Sequence, residues 1–205
     1  MVQKRTHGGK LDSDFERIHR EFRPVVFRYL QRLAGDRDAE DLTQEVFMKI
    51  SRGLRDFRND SQLSTWIYRI ATNAALDRLR SPDFIQPERQ EAIGDDKDIW
   101  PDEKAAPADQ LLIRREMNEC IRGVIEKLPA DYRTVIVLSD LEEMKNSRIA
   151  EILGISLDAV KIRLHRARVK LKEALDAQCD FYRDERNELA CDRKPTALPF
   201  RKNLG

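Results

Sequence analysis

The sequence predicts an all-α protein with two helical domains joined by an acidic linker. Apolar residues recur at helical spacing from about residue 12 to residue 80, and again from about residue 107 to residue 177. Few Gly or Pro interrupt either block, and neither shows a convincing two-residue strand period. The segment between the blocks carries four prolines and many more acids than bases, which is typical of an extended linker. The predicted boundaries are 10–80 and 108–177 for the helical domains, 81–107 for the linker, and 178–205 for a tail of unassigned role.

Composition excludes several classes of protein. The 205 residues suffice for one large or two small domains, each able to bury a core. Lys plus Arg (38) nearly cancels Asp plus Glu (37), so any affinity for nucleic acid has to come from segregated charge. No apolar run approaches the roughly 20 residues of a membrane-spanning helix, and the N-terminus lacks the apolar core of a signal peptide. We therefore expect a cytoplasmic protein without membrane insertion.

Two amphipathic helices open the first block. The first is predicted to bury a face of aromatic and aliphatic residues and to end at Gly35, because glycine tolerates the positive φ of a helix end. The second, over about residues 39–51, buries an apolar face and presents a compact acidic patch on its other side. The residues of this patch are Asp38, Glu40, Asp41, Gln44 and Glu45.

A third helix is predicted from about residue 64 to residue 80, with Ser64 or Thr65 as the capping residue. Its interior includes Trp66, and its outer face is predicted to present Tyr68, Arg69, Asn73, Asp77, Arg78 and Arg80. Aromatic rings interleaved with basic residues suit single-stranded nucleic acid, because unstacked bases need aromatic faces and their phosphates need a positive groove. The alternative interpretation is that the aromatic stripe is ordinary helix core.

Residues 148–175 have the layout of a helix-turn-helix, with a short helix, a three-residue turn and a long basic helix. Gly154 can take positive φ just past the first helix, and Ser156 can cap the second. The stripe predicted to face inward is Leu157, Val160, Leu164, Ala167 and Leu171. The basic residues off this stripe include Lys161, Arg163, His165, Arg166, Arg168, Lys170 and Lys172. This arrangement is what a helix entering the major groove requires, and an ordinary amphipathic helix with a solvated basic face is the alternative.

Several segments together resemble one family. They are AEDLTQEVFMKI (39–50), FRNDSQLSTWIYRIATNAALDRLR (57–80), LPADYRTVIVLSDLEEM (128–144) and the helix-turn-helix. In this order and spacing, the chain resembles a bacterial extracytoplasmic-function sigma factor from about residue 12 to residue 177. The resemblance implies a subunit that binds core RNA polymerase and directs transcription initiation, by recognising minus-35 and minus-10 promoter elements and melting the latter. It also implies that the chain is not an enzyme.

The resemblance assigns roles to three sets of residues. The contact with core polymerase is implied for Asp41, Gln44 and Glu45. Recognition and melting of the minus-10 element are implied for Phe57, Arg58, Asp60, Ser61, Trp66, Arg69 and Asn73. Binding of minus-35 DNA is implied for Lys161, Ile162, Arg163, His165, Arg166 and Arg168, with Arg163, Arg168 and also Lys170 on phosphates rather than bases. The linker resembles the family's acidic connector through the RNA exit channel.

The chain departs from the family pattern at two places. The family usually has a Gly-Leu-Ser-Tyr-like stretch before the helix-turn-helix. This chain has Glu143, Met144, Lys145 and Asn146 at that place. At the start of the recognition helix, Ala159 and Ile162 replace two small hydroxyl residues, so the minus-35 sequence does not transfer from the family. No additional autoinhibitory domain is evident, and we therefore expect control by a separate anti-sigma factor.

Two other functional classes are alternatives to a sigma factor. A helix-turn-helix activator or repressor would bind DNA without being a polymerase subunit, and its N-terminal block would be a sensor or dimerisation module. An enzyme acting on nucleic acid would need paired carboxylates, a metal cluster, an activated nucleophile or a Gly-rich phosphate loop, and the sequence offers none of these in a plausible helical setting. We accordingly expect no cofactor and no small-molecule substrate.

The tail contains Cys179 and Cys191 on either side of a short charged segment that is compatible with a helix. A zinc or redox role would need Asp180, Asp192 or Cys120 to complete the site. Their spacing does not match a Cys-x-x-Cys metal pair, and cytosolic thiols are mostly reduced. The alternative is an incidental pair in a semi-ordered tail.

Overall fold

A computed structural model of the chain describes residues 6–57, 61–81, 108–183, 187 and 189–194. Its α-helices are α1 (Thr6–Ala34), α2 (Asp36–Gly53), α3 (Leu63–Arg80), α4 (Ala108–Glu126), α5 (Ala130–Ile136), α6 (Asn146–Leu153) and α7 (Leu157–Gln178). A 3-10 turn, Leu54–Asp56, follows α2, and a π-helical turn, Val137–Leu141, follows α5. Strands β1 (Cys179–Arg183) and β2 (Leu189–Arg193) form an antiparallel hairpin. The predicted all-α class is confirmed, while most of the predicted linker (82–107) lies outside the described residues.

Helices α1, α2 and α3 pack against one another in the N-terminal part of the chain. Gly35 has a φ of 88°, which allows the chain to reverse between α1 and α2 as the sequence predicted. Leu33, Ile50 and Ile67 have no solvent-exposed surface where the three helices meet. The Tyr29 hydroxyl is hydrogen-bonded to the Thr72 hydroxyl over 2.7 Å inside this core, and burial raises the pKa of the tyrosine.

The helix-turn-helix follows from local chemistry. Gly154 ends α6 in the left-handed conformation at φ 64°, and the Ser156 hydroxyl accepts a 3.1 Å hydrogen bond from the Ala159 amide at the start of α7. Val160, Leu164 and Ala167 are buried, as predicted. The prediction for Leu157 was wrong: it is 41% exposed, because the first turn of α7 extends beyond the covered part of the helix.

The part of the tail that the structure describes forms a hairpin rather than a helix. In the register of the two strands, Cys179 is opposite Arg193 and Phe181 is opposite Cys191. Cys179 is buried and Phe181 is half-buried, whereas Asp180 and Tyr182 are exposed. This alternation is typical of a strand that packs one face against the protein. Each strand has only five residues, so this period was too short to stand out in a highly charged segment.

The two helical blocks pack directly on each other. Ile125, Leu128 and Val135 belong to the same buried cluster as Leu33 and Ile67. Polar contacts accompany this packing: an Arg133 guanidinium nitrogen donates to the Leu33 carbonyl over 3.1 Å, and Arg122 and Asp36 form a 2.8 Å ion pair. Within the described part of the chain, every helix is too short or too polar for a membrane crossing.

Candidate nucleic-acid and protein interfaces

The middle of α7 presents a continuous exposed face. Lys161, Ile162, His165 and Arg166 are all exposed on it, and Arg163 beside them is half-buried. Ile162 is 53% exposed, although it is a large aliphatic residue. Lys161 forms a 3.2 Å ion pair with Asp158, and both side chains are largely solvated, so this pair contributes little to stability. The face therefore combines long basic donors with one apolar contact, on a helix whose pose is fixed by its buried stripe.

Arg168 differs from Lys161 because its acidic partner, Asp140, lies outside α7. Its guanidinium contacts the two carboxylate oxygens of Asp140 at 2.5 and 3.2 Å, and the Ser139 hydroxyl at 3.3 Å. The hydrogen bond to Asp140 raises the pKa of Arg168 further. In this structure, Arg168 therefore ties α7 to the π-helical turn rather than extending freely into solvent.

An aromatic pair lies at the start of α3. The rings of Phe57 and Trp66 are 5.0 Å apart between centroids and tilted by 35°, and both residues are half-buried. Gly53 fits against the indole, since a Cβ at that position would lie 3.0 Å from Trp66 Cζ2. Ser61 is half-buried nearby in sequence, and Asn73 is exposed further along α3. Two of the predicted minus-10 residues, Arg58 and Asp60, lie outside the described residues.

The outer side of α3 is in contact with α6. The Arg69 guanidinium donates a 2.5 Å hydrogen bond to the Glu151 carbonyl, and Arg148 of α6 donates a 2.8 Å hydrogen bond to the Ser64 hydroxyl. Arg148 also lies 5.8 Å from the centroid of the Tyr68 ring. The capping prediction for Ser64 or Thr65 was wrong, because α3 begins after Gln62 without a side-chain cap.

Glu142 lies at the centre of the contact between the blocks. One carboxylate oxygen accepts a 2.7 Å hydrogen bond from Arg32, and the other accepts a 2.7 Å hydrogen bond from the Tyr68 hydroxyl. Arg32 also donates to the Leu141 carbonyl over 3.0 Å. Tyr68 was predicted on the outer face of α3 but is buried here, and burial followed by the Glu142 charge raises its pKa. Sequence reasoning gave no signal for Glu142, which is one acid among many in a charged segment.

The acidic face of α2 is smaller than predicted. Asp38 is only 16% exposed in its 2.8 Å ion pair with Arg78, whereas Glu40 is 47% exposed in its 2.6 Å ion pair with Arg23. The acidic patch on α2 therefore consists of Glu40, Asp41, Gln44 and Glu45, with Asp41 and Gln44 exposed and Glu45 paired to Lys49 at 2.6 Å.

A methionine extends this patch. Met48 is 52% exposed and lies one helical turn beyond Gln44 on the same side of α2. Sequence reasoning missed it, although the i, i+4 spacing from Gln44 could have indicated it. A flexible apolar side chain beside carboxylates is suited to a protein partner that has both apolar and basic residues.

Two family models match the chain. Sigma-70 region 2 matches residues 18–84, and Sigma-70 region 4 matches residues 118–171. The first region contains the α2 patch and the aromatic pair, and the second contains the helix-turn-helix. Together they define a sigma-70-type protein.

Similar proteins of known name identify the family within the sigma-70 class. The chain is 33% identical to the ECF RNA polymerase sigma factor SigW of Bacillus subtilis over 183 residues, covering 85% of this chain and 97% of SigW. It is also 33% identical to the ECF RNA polymerase sigma-E factor of Escherichia coli K12, covering 76% of this chain and 84% of that protein. Against SigE of Mycolicibacterium smegmatis it is 32% identical and spans 61% of that protein's length. The chain belongs to the ECF family of RNA polymerase sigma factors.

Two solved structures share the fold. CnrH in complex with the cytosolic domain of CnrY matches with a TM-score of 0.56 and 25% identity, over 81% of this chain and 90% of CnrH. RpoE of Bartonella quintana, in a co-crystal with the anti-sigma factor NepR, matches with a TM-score of 0.57 and 23% identity, over 80% and 97% of the two chains.

Proposed function

We propose that this chain binds core RNA polymerase as an alternative sigma factor and directs initiation at promoters with matching minus-35 and minus-10 elements. Residues 10–80 recognise and melt the minus-10 element, and residues 108–177 recognise the minus-35 element. The chain performs no catalytic step and needs no cofactor. The observation that carries this proposal is the exposed basic face of α7 on a helix-turn-helix, in a chain that belongs to the sigma-factor family.

Recognition of the minus-35 element is assigned to Lys161, Ile162, His165 and Arg166. Lysine and arginine can donate to guanine edges in the major groove, and Ile162 can contact a thymine methyl group but cannot donate a hydrogen bond. Arg163 and Arg168 bind phosphates, and for Arg168 a phosphate would take the place of the Asp140 carboxylate.

The aromatic pair supports the melting step. Opening DNA costs stacking energy of about 1.4 kcal/mol per base-pair step, so a protein that captures an unstacked base helps to stabilise the open strands. Trp66 and Phe57 offer partly exposed rings for stacking, while Arg69 and Asn73 further along α3 and Ser61 just before it supply polar groups. Arg58 and Asp60 remain part of this proposal on the sequence resemblance alone.

The acidic patch of α2 is assigned to core polymerase. Asp41 and Glu45 can pair with basic residues of the polymerase, while Gln44 adds hydrogen-bonding groups. Met48 would contribute an apolar contact in the same interface.

The packing of α3 on α6 represents a resting state. One guanidinium nitrogen of exposed Arg69 is held by the Glu151 carbonyl, and it becomes available to DNA when α6 moves away from α3. One solved structure named above contains the sigma factor RpoE with the anti-sigma factor NepR, and the other contains CnrH with the cytosolic domain of CnrY. We therefore propose that a separate anti-sigma factor controls this chain.

The test is transcription from fragmented genomic DNA of the source cell by purified core polymerase, with and without the chain, followed by mapping of RNA 5′ ends. The proposal expects new start sites that share two upstream elements and that disappear with the double variant Asp41→Lys and Glu45→Lys. The double variant Glu16→Lys and Glu21→Lys, which makes the same charge change on exposed positions of α1, should retain them. A helix-turn-helix regulator would instead bind its sites equally well without core polymerase and produce no new start sites.

A further inference from the structure

Two cysteines from distant parts of the sequence are in contact at the edge of the C-terminal domain, which contains the helix-turn-helix. The sulfur atoms of Cys120 on α4 and Cys179 at the start of β1 are 3.2 Å apart. A disulfide bond is about 2.05 Å long, so the two sulfur atoms need to approach by only ~1 Å to form one. Cys179 is buried and Cys120 is half-buried, and both are thiols in this structure.

The backbone holds Cys179 in this place from both sides. Its amide donates to the Leu175 carbonyl at the end of α7, and β1 continues directly from it into the hairpin. Residue 194, just after β2, returns to the same point: the Lys194 amide donates to the Gln178 carbonyl over 2.9 Å, and its ammonium group donates to the Asp176 carbonyl over 2.6 Å. The approach of the two sulfur atoms is therefore built into the packing of the hairpin on α4 and α7.

A third thiol lies on the same side of the hairpin. Cys191 is opposite Phe181 in the strand register, and Phe181 is two residues beyond Cys179, so Cys179 and Cys191 project from the same face. Within the described part of the chain, no group of three or more His, Cys, Asp or Glu side chains is arranged to hold a metal ion. The arrangement favours sulfur redox chemistry between two thiols over a metal site.

We propose that Cys120 and Cys179 form a reversible dithiol–disulfide site that responds to peroxide. The thiolate of half-buried Cys120 attacks one peroxide oxygen, and the O–O bond breaks to give a sulfenic acid and the first water. The thiolate of Cys179 then attacks the Cys120 sulfur, the S–O bond breaks, and the second water leaves. Two thiols and one hydrogen peroxide thus yield one disulfide and two waters, and a dithiol reductant reverses the oxidation.

A Cys120–Cys179 disulfide would connect the two ends of the helix-turn-helix domain. Residues 120–179 contain α5, α6 and α7, so the closed loop includes the whole helix-turn-helix. The crosslink removes conformational freedom from the unfolded chain and thereby stabilises the folded domain. The exposed face around Ile162 and Arg166 lies well inside the loop and keeps its side chains unchanged. This inference does not depend on promoter binding, so its failure would leave the proposed function untouched.

Tryptic digestion separates the three cysteines, which makes the pairing directly measurable. Cleavage after Lys and Arg places them in residues 116–122, 173–183 and 187–193. The reduced full-length chain is treated with hydrogen peroxide, remaining thiols are alkylated, and the digest is analysed by mass spectrometry. The proposal expects peptide 116–122 linked to 173–183, alkylated Cys191, and loss of the link after dithiothreitol. Links that involve Cys191, links between two chains, or full alkylation of Cys120 and Cys179 would overturn it.

Thermal unfolding provides the second readout. Oxidation should raise the Tm of the wild-type chain by roughly 10 °C, because the crosslinked loop is long. The variant Cys191→Ser should show the same rise, whereas Cys120→Ser and Cys179→Ser should show none. An equal rise in Cys120→Ser, or its absence in Cys191→Ser, would contradict the assignment. Peptide mapping of the wild-type chain decides the pairing even where a serine variant is poorly folded.

Discussion

The Tyr68 hydroxyl donates a 2.7 Å hydrogen bond to the carboxylate of Glu142, across 74 positions of sequence. The same carboxylate pairs with Arg32, and the two charged side chains are only 14% and 10% exposed. A residue from the C-terminal block is thus a partner for both α1 and α3. In this structure, the contact joins the proposed minus-10 domain to the proposed minus-35 domain.

The substitution Glu142→Gln should weaken the contact between the two helical domains. It removes the charge that Arg32 faces in a poorly solvated site, and we expect the interdomain contact to weaken by about 3–5 kcal/mol. Small-angle scattering should then report a larger radius of gyration. The neighbouring substitution Glu143→Gln is the matched control, because Glu143 is exposed. An unchanged radius in Glu142→Gln would mean that apolar packing alone holds the blocks together.

Gly154→Ala should destabilise the chain through the turn of the helix-turn-helix. A Cβ at this position meets no atom within 4 Å, so the penalty is purely the positive φ of 64°. We expect a loss of about 1–2 kcal/mol in the free energy of unfolding. Denaturant titration measures it, and Gly154→Asn should lose less, because asparagine adopts this conformation more readily. Equal losses for both variants would point to a cause other than φ.

Sequence reasoning succeeded where the determinant is local. Gly35, Gly154 and Ser156 do what their chemistry predicts within a few residues, and these sites fix the helix boundaries around them. Sequence reasoning failed where the partner is remote in sequence. The position of Tyr68 on α3 predicts an exposed residue, but α6 and Glu142 cover it in the fold.

The candidate sites divide along the same lines. The exposed face of α7 was predictable because the buried stripe of that helix is regular, whereas the smaller acidic patch of α2 was not. Nothing in the local sequence indicates that Asp38 forms an ion pair with Arg78, 40 residues away. Nor does it indicate that Cys120 contacts Cys179, 59 residues away.

Arg166→Ala should weaken binding of minus-35 DNA by the polymerase complex. Loss of a base contact costs about 1–3 kcal/mol, and most of this loss should vanish on DNA with a substituted minus-35 element. Lys172→Ala is the control, because it removes a positive charge from the same helix about 9 Å along its axis from Arg166. Fluorescence titration at several salt concentrations measures both. A loss in Arg166→Ala that is equal on all DNA sequences would make Arg166 a phosphate contact.

Trp66→Ala should impair promoter opening more than promoter binding. Loss of the ring removes a stacking surface worth about 1–3 kcal/mol per base, so the open complex should form more slowly or to a smaller extent. A 2-aminopurine probe in the minus-10 element reports opening through its fluorescence. Trp66→Phe retains an aromatic face and should recover part of the signal. Normal opening with Trp66→Ala would exclude the aromatic pair from the melting step.

The most direct measurement of the central claim is site-specific photocrosslinking from two positions of the chain, bound to core polymerase on one cognate promoter. A crosslinker at His165 should react with duplex DNA of the minus-35 element, and one at Trp66 should react with the non-template strand of the minus-10 element. Both reactions should require core polymerase. Crosslinking of both positions to a single site, or identical crosslinks without polymerase, would contradict the proposed two-element promoter recognition.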